Sequence, residues 1–254
     1  MLYKKILNFF LLVLFTSCSV HKKFTINNIQ ESNPIYQNQV YQFPELEGNL
    51  IISEKINSTI IKDFLDLDVS KKHKSIFENV WATGENSIPR LTFLEYKINV
   101  LNKNLYSVTF NTEGCGAYCE KFSKTYNFDI SNGNHIILDA FFTRAGKKEL
   151  LNLISNQKRK TIENYLIQLK TKNVIEEDKK YVNKTIQLYE NCLEGIPFVT
   201  LEYFDFKISK GVLVITSDRC SNHATRALDD IGAYKYVFKK NNINSLLNNF
   251  GKKI

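Results

Sequence analysis

The chain has 254 residues, 43% hydrophobic and 13% aromatic, with a formal net charge of +8. That apolar content excludes wholesale disorder and suffices for one large domain or two small ones. No basic stripe with interleaved aromatics runs through the chain, so the charge does not point to nucleic acid.

Residues 1–17 follow the plan of a secretory signal peptide. Lys4 and Lys5 are cationic, Ile6 to Phe15 is apolar apart from Asn8, and Phe15-Thr16-Ser17-Cys18 sets small residues before a cysteine. This resembles the lipobox of bacterial lipoproteins, where cleavage leaves the cysteine N-terminal and diacylated. Phe15 departs from the usual Leu or Val. The rival, an uncleaved membrane helix, meets an apolar run about half the roughly 20 residues needed to span a bilayer. The expectation is lipid on Cys18 holding the protein in the bacterial cell envelope, periplasmic or surface-facing. Ser19 replaces the Asp that commonly retains lipoproteins at an inner membrane, which favours an outer one where present. In that setting mild basicity suits anionic lipid, anionic wall polymer or an acidic partner.

Residues 19–34 read as a polar tether, and Gln39–Phe43 as a short strand closed by Pro44 and Gly48. Ile56, Ile60, Phe64 and Leu67 recur at helical spacing, predicting a helix over 54–68. The stretch 71–90 gives no clear period, with Trp81 as a packing residue. Leu91–Leu101 and Leu105–Asn111 form a hairpin turning at Asn102-Lys103-Asn104. After the loop Glu113-Gly114-Cys115-Gly116-Ala117-Tyr118-Cys119 comes a strand over 121–130, then a turn at 131–134 and Ile136–Leu138. A long helix over 147–171 has Leu150, Ile154, Ile162, Tyr165 and Leu169 on one side, and a shorter helix covers 177–190. A hairpin, Val199–Ile208 and Val212–Thr216, turns at Ser209-Lys210-Gly211. A polar loop over 217–231, a strand over Ala233–Phe238 and a helix over 242–250 close the chain. Runs of strands and runs of helices, not strict alternation, predict an α+β fold with mostly antiparallel sheet. The expected division is a lipidated cysteine and tether over 18–37, then α+β subdomains over 38–112 and 113–254.

Besides Cys18 the chain has Cys115, Cys119, Cys192 and Cys220. An even count in an exported chain favours two disulfides, with three connectivities open. Cys115–Cys119 with Cys192–Cys220 is the preferred pairing. The rival is a metal site built from Cys115-x3-Cys119 and Cys220-x2-His223.

Several of these segments resemble the paired extracytoplasmic domain of lysozyme-sensing anti-sigma factors, also appended to some peptidoglycan deacetylases. The carrying residues are Tyr41-Gln42-Phe43-Pro44-Glu45-Leu46-Glu47-Gly48 with Lys55-Ile56-Asn57, the strand Leu105–Phe110, and Tyr126–Gly133 followed by Ile137-Leu138-Asp139-Ala140-Phe141-Phe142. Tyr236 to Phe250 also fits. The resemblance spans roughly 38–250. It implies the sensing or binding half of such proteins, standing alone. Where the family often has a glycine-glycine-alanine-histidine-glycine loop, this chain has Gly114–Cys119, with Tyr118 at the histidine's place. No role of that histidine carries over.

Two polar loops are candidate sites. In Asp218-Arg219-Cys220-Ser221-Asn222-His223, continuing to Arg226, Asp229 and Asp230, the residues Arg219, Asn222, His223 and Arg226 can grip a carboxylate, sugar hydroxyls or an acidic protein surface. Tyr118 at the glycine-cysteine loop is a candidate anchor. Ser221 and His223 lack a nucleophile turn, and the adjacent Asp229 and Asp230 diverge, so no catalytic set is expected. No cofactor and no metal are expected. The sequence therefore points to a non-enzymatic, lipid-anchored envelope binding module for a lysozyme-like protein or wall glycan. The alternatives are an accessory or catalytic protein of peptidoglycan modification, and a structural envelope lipoprotein.

Overall fold

The computed structural model describes residues 23–253, apart from 85–86, 117, 174, 197–199, 223 and the side chain of Tyr203. The signal peptide, Cys18 and His223 lie outside the described residues.

A six-stranded sheet carries the strands in chain order: β1 (Thr25–Ser32), β2 (Val40–Glu47), β3 (Leu91–Leu101), β4 (Leu105–Cys115), β5 (Cys119–Asp129) and β6 (Asn134–His135). All neighbours are antiparallel except β2 and β3, which meet at Tyr41 and Leu94. Between those two the chain makes a crossover through helix α1 (Leu50–Phe64), as a parallel pair requires. Helix α1 turns Ile56, Ile60 and Phe64 onto the sheet. Phe64 stacks on Phe110 at 5.0 Å and Phe110 on Phe43 at 6.0 Å. Burying such side chains contributes about 2 kcal/mol each. Asn57 locks the helix to β2 by two 3.0 Å bonds with the backbone of Leu46. Trp81 packs on Tyr41 and Phe77, as a packing residue should.

The remainder builds a second core. Helix α2 (Arg144–Thr171) starts at Thr143, whose hydroxyl accepts from Gly146 N at 2.9 Å. It buries Leu150, Ile154, Ile162 and Leu166. Helix α3 (Glu176–Gly195) packs beside it, and a three-stranded antiparallel sheet follows: β7 (Asp205–Ser209), β8 (Val212–Ser217) and β9 (Tyr234–Lys239). A one-turn helix α4 (Lys240–Ile243) follows β9, shorter than the 242–250 helix expected, and a 3-10 turn at Gly251–Lys253 comes last. Strand β7 packs against β3, β4 and β5 on the face of the first sheet opposite α1. The architecture is α+β with mostly antiparallel sheet, as the order of elements predicts.

Four further expectations differ. The 19–34 tether contains β1, held by its register with β2 and by Ile26 and Ile29 against the core; its polar side chains hid an edge strand. Helix α1 begins at Leu50, not 54, because Asn49 caps it and its first turn lies off the apolar face. A boundary after residue 112 would cut β4, which pairs with β5 through Cys115. The glycine-cysteine loop taken for a boundary is a hairpin tip, and the second core is drawn chiefly from residues after β6, joined by Leu105 of β4. Residues 201–203 form a 3-10 turn where the hairpin strand was expected, so β7 starts at Asp205.

Candidate binding cleft at the β4–β5 tip

Cys115 and Cys119 are direct cross-strand partners with Cα atoms 4.1 Å apart, and their disulfide staples the tip. Cys115 N donates to Arg90 O at 3.1 Å, tying the tip to the segment before β3. Cys192–Cys220 is the second disulfide, joining α3 to the polar loop after β8. With Cys115, Cys119 and Cys220 all oxidised, the metal alternative has lost its thiolates. Glu113, Cys115 and Cys119 are the one candidate metal cluster among the described residues, and it fails for the same reason.

The stapled tip and the polar loop meet. Arg219 Nη2 donates to Glu120 Oε1 at 2.6 Å, and Arg226 Nη1 donates to the same oxygen. Beside them lies an open cleft of about 690 Å³, lined by Arg90, Gly116, Tyr118, Glu120, Phe122 and Arg219 among others. Tyr118 is 45% exposed and Phe122 44%. Two aromatic faces thus stand beside a guanidinium pair whose charge exceeds that of the carboxylate holding it.

Of the residues expected to bind, Tyr118 and Arg219 line this cleft, and Arg226 adjoins it through Glu120. The Asn222 side-chain oxygen accepts from Thr225 N at 3.0 Å and from its hydroxyl at 3.1 Å, so it forms the turn. Asp229 organises the loop. Its carboxylate takes bonds from Tyr189 OH at 2.7 Å, Gly232 N at 2.9 Å and Ser221 Oγ at 2.7 Å. Burial works against its charge, but these bonds outweigh it and hold the carboxyl below its ordinary value.

A second cleft of about 590 Å³ lies further along the outer edge of β5, with Phe122 lining both. Its polar groups include Asp63, Lys124, Tyr126, His135, Glu202 and Asp205. Asp63 Oδ2 accepts from Lys124 Nζ and from Tyr126 OH, both at 2.5 Å. Against the opposing effect of burial, these bonds keep Asp63 below the usual carboxylate value. Burial pushes His135 down, and burial pushes Asp205 up to about 6. The cleft thus holds an ionised carboxylate, an imidazole biased to neutral and a carboxyl raised to about 6.

Sequence reasoning missed Glu120, Phe122, Arg90 and this second group. The one available signal was register: pairing Cys115 with Cys119 puts Glu120 and Phe122 next to the tip.

No family model matches the chain, and no curated protein matches it. Two solved structures of DUF3298-family proteins are similar to it over most of their length. One, from Bacteroides fragilis, is 14% identical with a TM-score of 0.49, covering 89% of this chain and 94% of that one. The other, from Pseudomonas aeruginosa, is 8% identical with a TM-score of 0.48, covering 90% of this chain and 95% of that one. At these values neither likeness carries an argument about what the chain does.

Proposed function

We propose that the chain is a non-enzymatic binding module of the bacterial cell envelope, anchored by lipid on Cys18, which takes a lysozyme-like protein or wall glycan at the Tyr118 cleft. The observation that carries this reading is the convergence of Arg219 and Arg226 on Glu120 beside exposed Tyr118 and Phe122. Arginine and aromatic side chains held rigid beside a cleft are the usual anchors of a binding surface. A stapled tip lowers the ordering cost of binding, and the two disulfides suit an extracytoplasmic domain. No helix among the described residues is long and apolar enough to cross a membrane; the anchor in this reading is the lipid on Cys18.

The test is retention of the detergent-solubilised chain on immobilised lysozyme and on purified peptidoglycan in parallel. Retention on either, lost on Arg219→Ala and on Tyr118→Ala, supports the reading. Retention on neither refutes it.

The second cleft favours one other reading, turnover of wall material by Asp63, His135 and Asp205. It requires release of soluble fragments from peptidoglycan, abolished by Asp63→Asn and His135→Ala.

A further inference from the structure

Helix α1 opens on two apolar side chains that the fold does not bury. Leu50 is 73% exposed and Ile51 80%. They are adjacent in the first turn, while Ser53, Ile56, Ile60 and Phe64 take the buried side. Asn49 fixes this phase, its side-chain oxygen accepting from Ile52 N at 3.3 Å. First turns favour Asp or Glu beside the helix dipole, yet this one has no acidic residue.

The chain enters the fold at the same place. Thr25 pairs with Glu47. The ring of Phe24 lies over Gly48, 2.8 Å from where a Cβ would stand, and Gly48 has φ +148°. Glycine is therefore required at the corner that presents Leu50 and Ile51 beside Phe24. Six residue steps separate Phe24 from Cys18, at most roughly 20 Å of extended chain. The connecting sequence includes His21, Lys22 and Lys23. Other charged side chains at this end of the sheet include Glu47, Glu54, Lys55 and Asp129, with Lys55 Nζ bonded to Asn134 Oδ1 at 2.5 Å.

We propose that Leu50 and Ile51 insert at the headgroup–acyl boundary of the bilayer that holds the anchor, docking the domain on the tip of α1. The inference rests on the reading of Cys18 as lipidated. Interfacial binding joins apolar insertion to attraction between cations and anionic lipid, and the short lysine-bearing leader supplies the second. Two side chains alone insert weakly. Tethered within roughly 20 Å of the surface, they act at a high effective concentration.

Docking also orients the binding cleft. Strand β2 ends at Glu47 beside this tip, β3 runs parallel to it, and β4 runs back, so Leu105 lies at the tip's end of the sheet and Cys115 at the far end. The 11 residues of β4 span about 35 Å. The Tyr118 cleft then faces away from the membrane, toward the wall and its hydrolases.

The experiment places an environment-sensitive dye on Ile51→Cys, and on Val237→Cys as a control, in the full lipoprotein reconstituted in phosphatidylethanolamine–phosphatidylglycerol vesicles. The dye at 51 should shift to the blue and be quenched by acyl-brominated lipid, while the dye at 237 should do neither. A dye at 51 that matches 237, or shifts without vesicles as protein concentration rises, overturns the proposal; the latter means a second copy covers the tip. Mass spectrometry of the N-terminal peptide separates the two readings. An acylated Cys18 with a water-exposed 51 sinks the docking alone, whereas an unmodified Cys18 sinks both.

Discussion

Replacing Asp205 with asparagine tests how the two cores are joined. Asp205 heads β7 and packs against β5, where its Oδ1 accepts from Thr125 N at 3.2 Å. Burial raises its carboxyl to about 6 from 3.8, opposed by bonds from Thr125 and Phe206. The folded state therefore holds this proton more tightly than the unfolded chain. That contribution is fully present below pH 3.8 and is lost as pH rises through about 6. A shift of roughly two units is worth about 3 kcal/mol at most. Asparagine keeps the shape and one acceptor but loses a second, which costs about 1 kcal/mol. Asp205→Asn should thus be more stable than the parent by about 2 kcal/mol at pH 7.5 and no more stable at pH 3.5. Urea denaturation across this range reads both. A difference that does not change with pH, or a variant less stable at pH 7.5, refutes the assignment of a buried, proton-hungry carboxyl.

Arg219→Ala should cost under about 1 kcal/mol of stability, because Arg226 still holds Glu120; a thermal melt beside the binding assay then separates lost binding from lost fold. Opening Cys192–Cys220, with a sequence separation of 28, should cost about 3.5 kcal/mol by loop-closure entropy. Opening Cys115–Cys119, with a separation of 4, should cost about 2 kcal/mol. Denaturation of the paired serine variants gives the order, which the reverse result would contradict. Gly146→Ala puts a methyl 2.1 Å from Leu246 O. Backbone must move there, so a loss of about 3 kcal/mol or more is expected, and an unchanged melting temperature would refute the contact.

Much of the fold was legible because one face of each element is apolar. Leu150, Ile154 and Ile162 gave α2, and Tyr106, Val108 and Phe110 gave β4. The same alternation misleads about the other face. Ser107, Thr109, Thr125 and Asn127 are the polar residues alternating with them, yet all four are buried under the second core. Most of their polar groups are satisfied internally, while the Asn127 side-chain oxygen is buried without a hydrogen-bond partner. Thr109 and Thr125 share a 2.9 Å bond, Asn99 donates to Thr109 at 2.8 Å, and Asn127 Nδ2 donates to Phe206 O at 2.8 Å. A polar seam of this kind has the sequence signature of a surface, so the docking of one core on the other was invisible from the pattern alone. The start of α1 was missed for the opposite reason, because Leu50 and Ile51 are apolar and buried in nothing.

The cleft divides along the same line. Arg219, Arg226 and Tyr118 stood out because each interrupts a local pattern: two arginines in a turn-rich loop, and an aromatic between an alanine and a cysteine. Glu120 did not, since a charged residue near the start of a strand rich in lysine and serine is what any exposed edge looks like. Its meaning depends on two long-range facts. The disulfide fixes the register that turns it toward the cleft, and the Cys192–Cys220 bridge holds the loop bearing Arg219 and Arg226 against it from about a hundred positions away. A carboxylate shared by two guanidiniums leaves one positive charge beside Tyr118 and Phe122. Glu120 is thereby the clamp that fixes a cationic, aromatic surface in one geometry.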